Sequence, residues 1–222
     1  MAQITKLIIQ GNKKRVNVYL DGLYSFSLPL DFIAKFHLKT GAILDSLTQE
    51  KILKNALYFD LYNDALWQIS IRLRSQKEVE AYLINRTENL LKKYNLKTND
   101  LTTLINKTVE KLIQNKYLDD EKFAKEYVYQ RVNYRQKGKR VIRLELLQKG
   151  IDEAIIEKVL ATSFTDENKR NIQDLIAKID KQTSYRHYDN SKKRKIFSSR
   201  LISRGFSWDE IKNQIDEYLN KE

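Results

Sequence analysis

The spacing of hydrophobic residues along the chain changes near residue 45. Before that point apolar and polar residues alternate, as in the run from Val16 to Leu20, and a period of two is typical of half-buried β-strands. Asp21-Gly22 follows this run and precedes a second alternating one, which is a strong signal for a β-hairpin. We therefore predict a small antiparallel β module over residues 1–45, with a short helix over Leu30–Phe36.

From Ser46 onward the hydrophobic period becomes about 3.6 residues, which is the period of an α-helix. Ser46 and Gln49 have the spacing of a capping box, in which two side chains satisfy free N–H groups at a helix start. Apolar stripes with the helical period then recur at Leu101–Ile113, Phe123–Val128, Ile172–Ile179 and Trp208–Leu219. We predict that nearly everything after residue 45 is helical.

The helical part contains an internal repeat with an offset of 55 residues. Identical residues recur at this offset, with Lys137, Leu146, Gly150 and Ile156 falling on Lys192, Leu201, Gly205 and Ile211. Each copy consists of a basic segment, an amphipathic helix, a glycine and a second helix. Glycine readily adopts the left-handed conformation that ends many helices, so we expect Gly150 and Gly205 to be helix stops.

The second helix of each copy also carries a capping signal. Asp152 is placed to cap the helix after Gly150, and Ser207 forms a capping box with Glu210. A weaker third copy begins at Ser75, although Arg86 stands where the other copies have glycine. Units of this size stack in one dimension and expose an elongated face. The predicted order is therefore the β module 1–45, then helical repeats at 46–110, 111–163 and 164–222.

Composition narrows the class of partner. The chain has 41 Lys and Arg against 29 Asp and Glu, and its net charge of +12 favours a polyanion, either nucleic acid or an acidic protein surface. The absence of cysteine excludes disulfides and thiolate chemistry. No charge-free apolar stretch reaches the roughly 18 residues needed to span a bilayer. We expect a cytoplasmic protein with no membrane partner.

The positive charge is concentrated in the repeats. Residues 131–149 and residues 186–204 each hold seven basic residues and one acidic residue, so together they account for an excess equal to the whole net charge of +12. A surface that only maintains solubility mixes both signs, which favours binding by these clusters. Tyr127, Tyr129 and Tyr134 lie among them, a mixture that suits either phosphate contact with base stacking or an arginine-rich protein interface. For any single residue of these clusters, the alternative interpretation is a solvent-exposed helix face without a role in binding.

Other residue types give no sign of a catalytic centre. Asp119-Asp120-Glu121 precedes a helical stripe, where carboxylates usually cap the helix and stabilise its first turn. His37 and His187 have no ligand-spaced companions, and the glycines form no nucleotide-binding motif. We predict no catalytic residue, no cofactor and no metal, and hence no enzyme. Apolar neighbours at helical spacing favour core packing for both tryptophans, Trp67 and Trp208.

Three motifs carry a family resemblance. They are Tyr117-Leu118-Asp119-Asp120-Glu121-Lys122-Phe123-Ala124, Lys149-Gly150-Ile151 and Arg204-Gly205-Phe206-Ser207. With them, the chain resembles the RecX family of regulators of the bacterial RecA recombinase over essentially its whole length. The resemblance implies a mainly α protein in which three tandem three-helix repeats form an elongated curved rod, preceded by a small N-terminal β module.

The resemblance also implies a function in homologous recombination, DNA repair and the SOS response. A RecX protein is expected to bind as a monomer in the groove of the RecA filament on single-stranded DNA and to inhibit strand exchange, ATPase and co-protease activity. The resemblance leaves open whether double-stranded DNA is a further partner. The candidate contacts with RecA or DNA are Arg72, Arg74, Arg131, Arg135, Lys137, Lys139, Arg140, Arg143, Lys149, Lys192, Lys193, Arg194, Lys195, Arg200 and Arg204.

Two other functions stay open at this point. A general DNA-binding protein would compete with RecA for single-stranded DNA, and its inhibition would vanish when DNA is saturating. A nuclease would need a metal-ligand constellation, which the sequence does not offer. Incubation of labelled DNA with magnesium or manganese distinguishes the nuclease from both binding proteins.

Overall fold

The computed structural model describes residues 1–96, 101–163, 166–182 and 187–220. Within these residues the chain has ten α-helices and a four-stranded sheet at its N-terminal end. The predicted mainly α fold with an N-terminal β module is confirmed. The chain forms two compact units, unit 1 with Met1–Leu73 and Glu78–Leu118, and unit 2 with Arg74–Lys77 and Asp119–Glu222.

The β module of unit 1 is an antiparallel sheet. Its strands are β1 (Ala2–Ile9), β2 (Arg15–Leu20), β3 (Leu23–Pro29) and β4 (Ile43–Leu44), in the order β3-β2-β1-β4. The predicted hairpin is confirmed: Asp21 and Gly22 have φ values of 48° and 84° and connect β2 to β3. Two consecutive left-handed residues give the turn a twist that matches the strands.

The described remainder of unit 1 is mainly helical. Its helices are α1 (Asp31–Lys35), α2 (Ser46–Ile71), α3 (Gln76–Tyr94, of which Gln76 and Lys77 belong to unit 2) and α4 (Leu101–Gln114). The short helix predicted after Pro29 is therefore confirmed as α1. One core joins the sheet to the helices, because Val18 and Phe26 of the strands belong to the same buried cluster as Ile52 and Leu57 of α2.

The start of α2 and the length of α3 differ in detail from the sequence expectations. Asp45 is the N-cap of α2, and its carboxylate accepts a hydrogen bond from Thr48 N at 2.8 Å. The capping box expected at Ser46 is therefore wrong, and Ser46 is the first helical residue. Helix α3 continues through Arg86, whose Nε lies 2.5 Å from Asp64 Oδ2. The first repeat thus has no helix stop at this position.

A polar network connects the sheet of unit 1 to its helices. Asp60 of α2 accepts hydrogen bonds from Arg15 Nη1 at 2.8 Å, Lys93 Nζ at 2.7 Å and Tyr94 OH at 2.9 Å. Burial alone would raise the pKa of Asp60, but the hydrogen bond from Lys93 and the positive charge of Arg15 outweigh it, so that its pKa is lowered. The ionised carboxylate is therefore the form that holds these elements together.

Replacement of Asp60 should make the stability of the protein less dependent on pH. We expect Asp60→Asn to lower the free energy of unfolding by about 3 kcal/mol at pH 7, because Arg15 loses a largely buried partner. A carboxylate with a lowered folded pKa stabilises above its unfolded pKa of about 4 and loses this contribution as the pH falls. The difference in free energy of unfolding between wild type and Asp60→Asn, measured by urea unfolding, should therefore decrease as the pH falls from 7 to about 3. Asp31→Asn, at an exposed residue, is the control. If Asp60→Asn lowered the free energy of unfolding equally at pH 7 and at about pH 3, the role of the Asp60 carboxylate would be contradicted.

Unit 2 contains two sets of three helices. The first set is α5 (Asp120–Asn133), α6 (Lys139–Gln148) and α7 (Glu153–Ser163), and the second is α8 (Asp166–Asp180), α9 (Asn190–Ser203) and α10 (Trp208–Leu219). Each set has its own core, with Phe123 and Ile142 in the first and Phe197 and Ile211 in the second. The helical stripes of the sequence provide these core residues.

The predicted helix stops of unit 2 are confirmed. Gly150 and Gly205 have φ values of 78° and 96°, and the apolar residue after each glycine is buried. The predicted caps are also present, with Asp152 accepting from Ala154 N at 2.8 Å and a complete capping box at Ser207. The repeat boundaries at 110/111 and 163/164 stay predictions. Among the described helices, none combines the length and apolar character needed to cross a bilayer.

Candidate nucleic-acid and protein interface

Several candidate basic residues are already paired with carboxylates. The pairs are Arg72 with Glu78, Arg131 with Glu145, Arg143 with Glu153 and Glu157, Arg194 with Asp216, and Lys193 with Asp180. Most of them join neighbouring helices: Arg131 Nε of α5 lies 2.8 Å from Glu145 Oε2 of α6. These cations hold the helices of a repeat together, and their charge is partly neutralised.

Lys193 is a special case because it is buried. Only 8% of the residue is exposed, and its Nζ lies 3.0 Å from Asp180 Oδ1. A lysine ammonium is costly to remove from water unless a carboxylate compensates the lost hydration. Lys193 therefore joins α9 to α8 and is not the surface cation that its place in a basic run suggests.

A second group of cations gathers where α6 begins. Its members are Arg135, Lys137, Lys139, Arg140 and Arg204, which we name the junction cluster. Arg135, Lys139 and Arg140 are exposed, while the other two are half-buried. None of the five forms an ion pair with a carboxylate in the part of the chain that the structure describes. No described carboxylate therefore neutralises the positive charge of the junction cluster.

Backbone hydrogen bonds bring the junction cluster together from two repeats. Gly138 N donates to Arg204 O at 2.9 Å, and Arg140 N donates to Gly205 O at 3.1 Å. The Arg204 side chain also contacts the repeat of residues 111–163, with Nη1 3.3 Å from Arg135 O. The turn after α9 is thus fixed against the N-terminus of α6, and cations that lie far apart in the sequence are carried by backbone segments in direct contact.

The junction cluster adds positive side chains at the N-terminus of α6, where the backbone is capped by the carbonyls of Arg204 and Gly205. The first turn of α6 carries Lys139 and Arg140, has no acidic residue, and begins at Gly138 without a side-chain cap. The N-terminus of a helix carries a partial positive charge, so that cations in its first turn destabilise it and a bound anion stabilises it. The cluster is therefore suited to a phosphate or a carboxylate.

The same junction occurs one repeat earlier within unit 2. Ser75 Oγ donates to Lys149 O at 2.8 Å, and Lys77 Nζ lies 3.3 Å from Gln148 O. Arg74 directly precedes Ser75 in the sequence, and the Lys149 ammonium lies 5.4 Å from the centre of the Tyr127 ring. Lys77 is a cation of this junction that is absent from the candidates predicted from the basic runs. Alignment of the helix starts of the repeats, instead of their basic runs, would have pointed to it.

The remaining candidates lie on α9. Lys192, Lys195 and Arg200 are exposed, and Lys192 Nζ lies 5.3 Å from the centre of the Tyr188 ring. Arg186, the first basic residue of this run, lies outside the described residues. These cations extend the positive surface along α9.

The aromatic residues divide into packed and exposed ones. Tyr127 stacks on Phe123 and its OH donates to Glu145 Oε2 at 2.9 Å, whereas Tyr134 is 74% exposed. Trp67 and Trp208 are 61% and 46% exposed, so the expectation that both pack in the core is wrong. Ala65 and Ile211, which lie near them in the sequence, belong to the buried clusters instead.

The acidic cluster before α5 is structural, as the sequence predicts. Asp119 caps α5, Asp120 accepts a hydrogen bond from the first N–H of α3, and Glu121 bridges Lys125 and Lys158. Hydrogen bonds from these two lysines lower the pKa of Glu121 to about 2. No group of three or more potential metal ligands occurs among the residues that the structure describes.

Two family models match the chain. The model described as the regulatory protein RecX N-terminal domain matches residues 2–45, which contain the β module. The model described as RecX, second three-helix domain, matches residues 119–160, which contain α5, α6 and most of α7. The matched regions therefore coincide with elements of both units.

Relatives of known name match almost the whole chain. The regulatory protein RecX of Bacillus subtilis is 34% identical, and the match covers 100% of this chain and 80% of that protein. That of Clostridium acetobutylicum is 31% identical over 98% of this chain and 97% of that protein. A crystal structure of a regulatory protein RecX matches with a TM-score of 0.70 and 25% identity, covering both chains completely. RecX from Lactobacillus salivarius matches with a TM-score of 0.62 and 30% identity over 75% of this chain and 98% of that one.

Proposed function

The chain belongs to the RecX family of regulatory proteins, and from this premise we propose that it is a negative modulator of the RecA recombinase. It binds as a monomer in the groove of the RecA filament on single-stranded DNA, in the cytoplasm. Binding there inhibits strand exchange, ATPase and co-protease activity. It acts by binding and not as an enzyme.

The junction cluster is the observation that supports this function most. Five cations from two repeats lie on two backbone segments that are held together by hydrogen bonds between Gly138 and Arg204 and between Arg140 and Gly205. A filament on single-stranded DNA offers a regular series of phosphates and protein carboxylates. Cations on this turn bind such a target without losing much backbone freedom, because the turn that carries them is already ordered.

A general DNA-binding protein is the second candidate function. It is favoured by the same cations, because phosphate neutralisation releases counterions and gives sequence-independent affinity. The two functions differ in what the inhibitor competes for. A DNA competitor loses its effect once DNA is in excess, whereas a filament modulator does not.

A titration of the RecA ATPase tests the proposed function. We expect the chain to lower ATP hydrolysis at substoichiometric amounts relative to RecA, because one molecule in the groove affects several filament subunits. The inhibition should persist when single-stranded DNA is in large excess. No inhibition at equal molarity would contradict the proposal, and inhibition that disappears with excess DNA would favour the general DNA-binding protein.

A further inference from the structure

We propose that Tyr134 is a stacking platform for an unpaired base, so that the nucleic acid bound at the junction cluster is single-stranded. This role depends on the proposed function, because it concerns the DNA that lies in the same groove. The cations of the junction cluster recognise only charge. Tyr134 would add the recognition of unpaired bases to this surface.

The exposure of Tyr134 is the first observation. The residue is the C-cap of α5 and is 74% exposed, and its ring meets that of Tyr129, itself 54% exposed, edge to face at 6.2 Å. The core of this repeat is built by Phe123, Val128 and other buried residues, and Tyr134 is not among them. Packing of the repeat therefore does not account for the exposed ring.

The rigidity of the backbone around Tyr134 is the second observation. Tyr134 N donates to Gln130 O at 3.1 Å, and Lys137 N donates to Arg131 O at 3.0 Å. Gln136 between them has a left-handed φ of 48°, which makes the turn tight. A ring held on an ordered turn loses little conformational freedom when a ligand covers it.

The neighbouring charge identifies the ligand. Arg135 follows the ring directly, and its carbonyl accepts a hydrogen bond from Arg204 Nη1 at 3.3 Å. An aromatic ring beside fixed cations is the arrangement with which proteins bind single strands, the base stacking on the ring and the phosphates contacting the cations. Bases of a duplex are already stacked within the helix and are not available for the ring. Carboxylates of a protein ligand would pair with the cations but would leave the face of the Tyr134 ring without a partner.

The test is a four-way comparison of binding by fluorescence anisotropy. Wild type and Tyr134→Ala are titrated against a labelled oligothymidylate and against an abasic oligonucleotide of equal length, which carries the same phosphates without bases. We expect Tyr134→Ala to weaken oligothymidylate binding about 5- to 100-fold. Binding of the abasic strand should change less than about twofold, since only phosphate contacts remain.

Matched variants separate stacking from other effects. Tyr134→Phe keeps the ring and should bind the oligothymidylate as wild type does. Tyr24→Ala removes an exposed tyrosine of the β module that forms a similar edge-to-face pair with Tyr19 at 5.9 Å, and it should have no effect. The helical circular dichroism of Tyr134→Ala should be unchanged, because the ring lies outside the core.

Three results would overturn the stacking role. They are an equal loss of affinity for both oligonucleotides, no loss for either, and a failure of wild type to prefer the strand that carries bases. If any of these occurs while wild type still inhibits the RecA ATPase, the proposed function stands and Tyr134 does not stack. If wild type binds neither strand and does not inhibit RecA, the proposed function itself fails.

Discussion

Alanine at Gly138 is expected to destabilise unit 2 by about 3 kcal/mol, a large effect for the addition of one methyl group. The added Cβ would overlap the backbone carbon and oxygen of Gly205 and the nitrogen of Phe206. Backbone atoms on both sides are held by the hydrogen bonds between Gly138 and Arg204 and between Arg140 and Gly205, so neither side yields without breaking the junction. The same substitution should weaken RecA inhibition, because it separates Arg204 from the rest of the junction cluster.

Urea unfolding followed by far-ultraviolet circular dichroism and by the fluorescence of Trp208 measures this effect. Trp67→Phe in the background leaves Trp208 as the reporter of unit 2. Gly11→Ala is the matched control, since an added Cβ there meets nothing within 4 Å. A midpoint for Gly138→Ala equal to that of Gly11→Ala would show that the two repeats do not depend on this close approach.

Local sequence signals predicted most of the elements of this fold. The Asp21-Gly22 turn and the helix stops at Gly150 and Gly205 depend on backbone conformations that few residues adopt, so short motifs indicate them. Strand β4 has no such signal, because two residues, Ile43 and Leu44, form no period. It exists because β1 offers an edge to pair with.

The N-cap of α2 illustrates the limit of capping motifs. Asp45 and Ser46 are both good caps and stand next to each other, so the sequence pattern does not decide between them. The structure uses Asp45, which accepts from Thr48 both the backbone N–H at 2.8 Å and the hydroxyl at 2.7 Å. A second hydrogen bond from the same partner favours the aspartate.

The candidate site could be located from the sequence only as a region. Basic runs show where positive charge accumulates, but which cations stay available depends on carboxylates far away in the chain. Lys193 and Lys195 lie two residues apart, yet one is buried against Asp180 while the other is exposed. Likewise, Arg204 joins Arg135 only because two glycines allow backbones from different repeats to touch.

Reversal of charge in the junction cluster is expected to remove most of the affinity for the RecA filament. The variant replaces Arg135, Lys139 and Arg140, all exposed and without a described carboxylate partner, by glutamate. Arg143 is left unchanged because it joins Glu153 and Glu157, so its loss would also disturb the packing of α6 on α7. Like charges placed against phosphates or carboxylates cost several kcal/mol, which corresponds to a loss of about 100-fold or more. The fold should persist, and glutamate in the first turn of α6 should even stabilise that helix.

The most direct test is the affinity of the labelled protein for preassembled RecA filaments on single-stranded DNA, measured by anisotropy over a range of salt concentrations. The matched control is the triple glutamate variant of Lys39, Lys51 and Lys111, which are exposed in unit 1 and give the same change in net charge. The junction cluster variant should bind about 100-fold more weakly, and its salt dependence should be reduced by about three units of slope if the lost contacts are to phosphate. The control should bind within about threefold of wild type, since no contact with the filament is proposed for these three lysines and they then act only through the screened long-range field. Equal weakening of the two variants would contradict the assignment of the filament contact to the junction between the repeats.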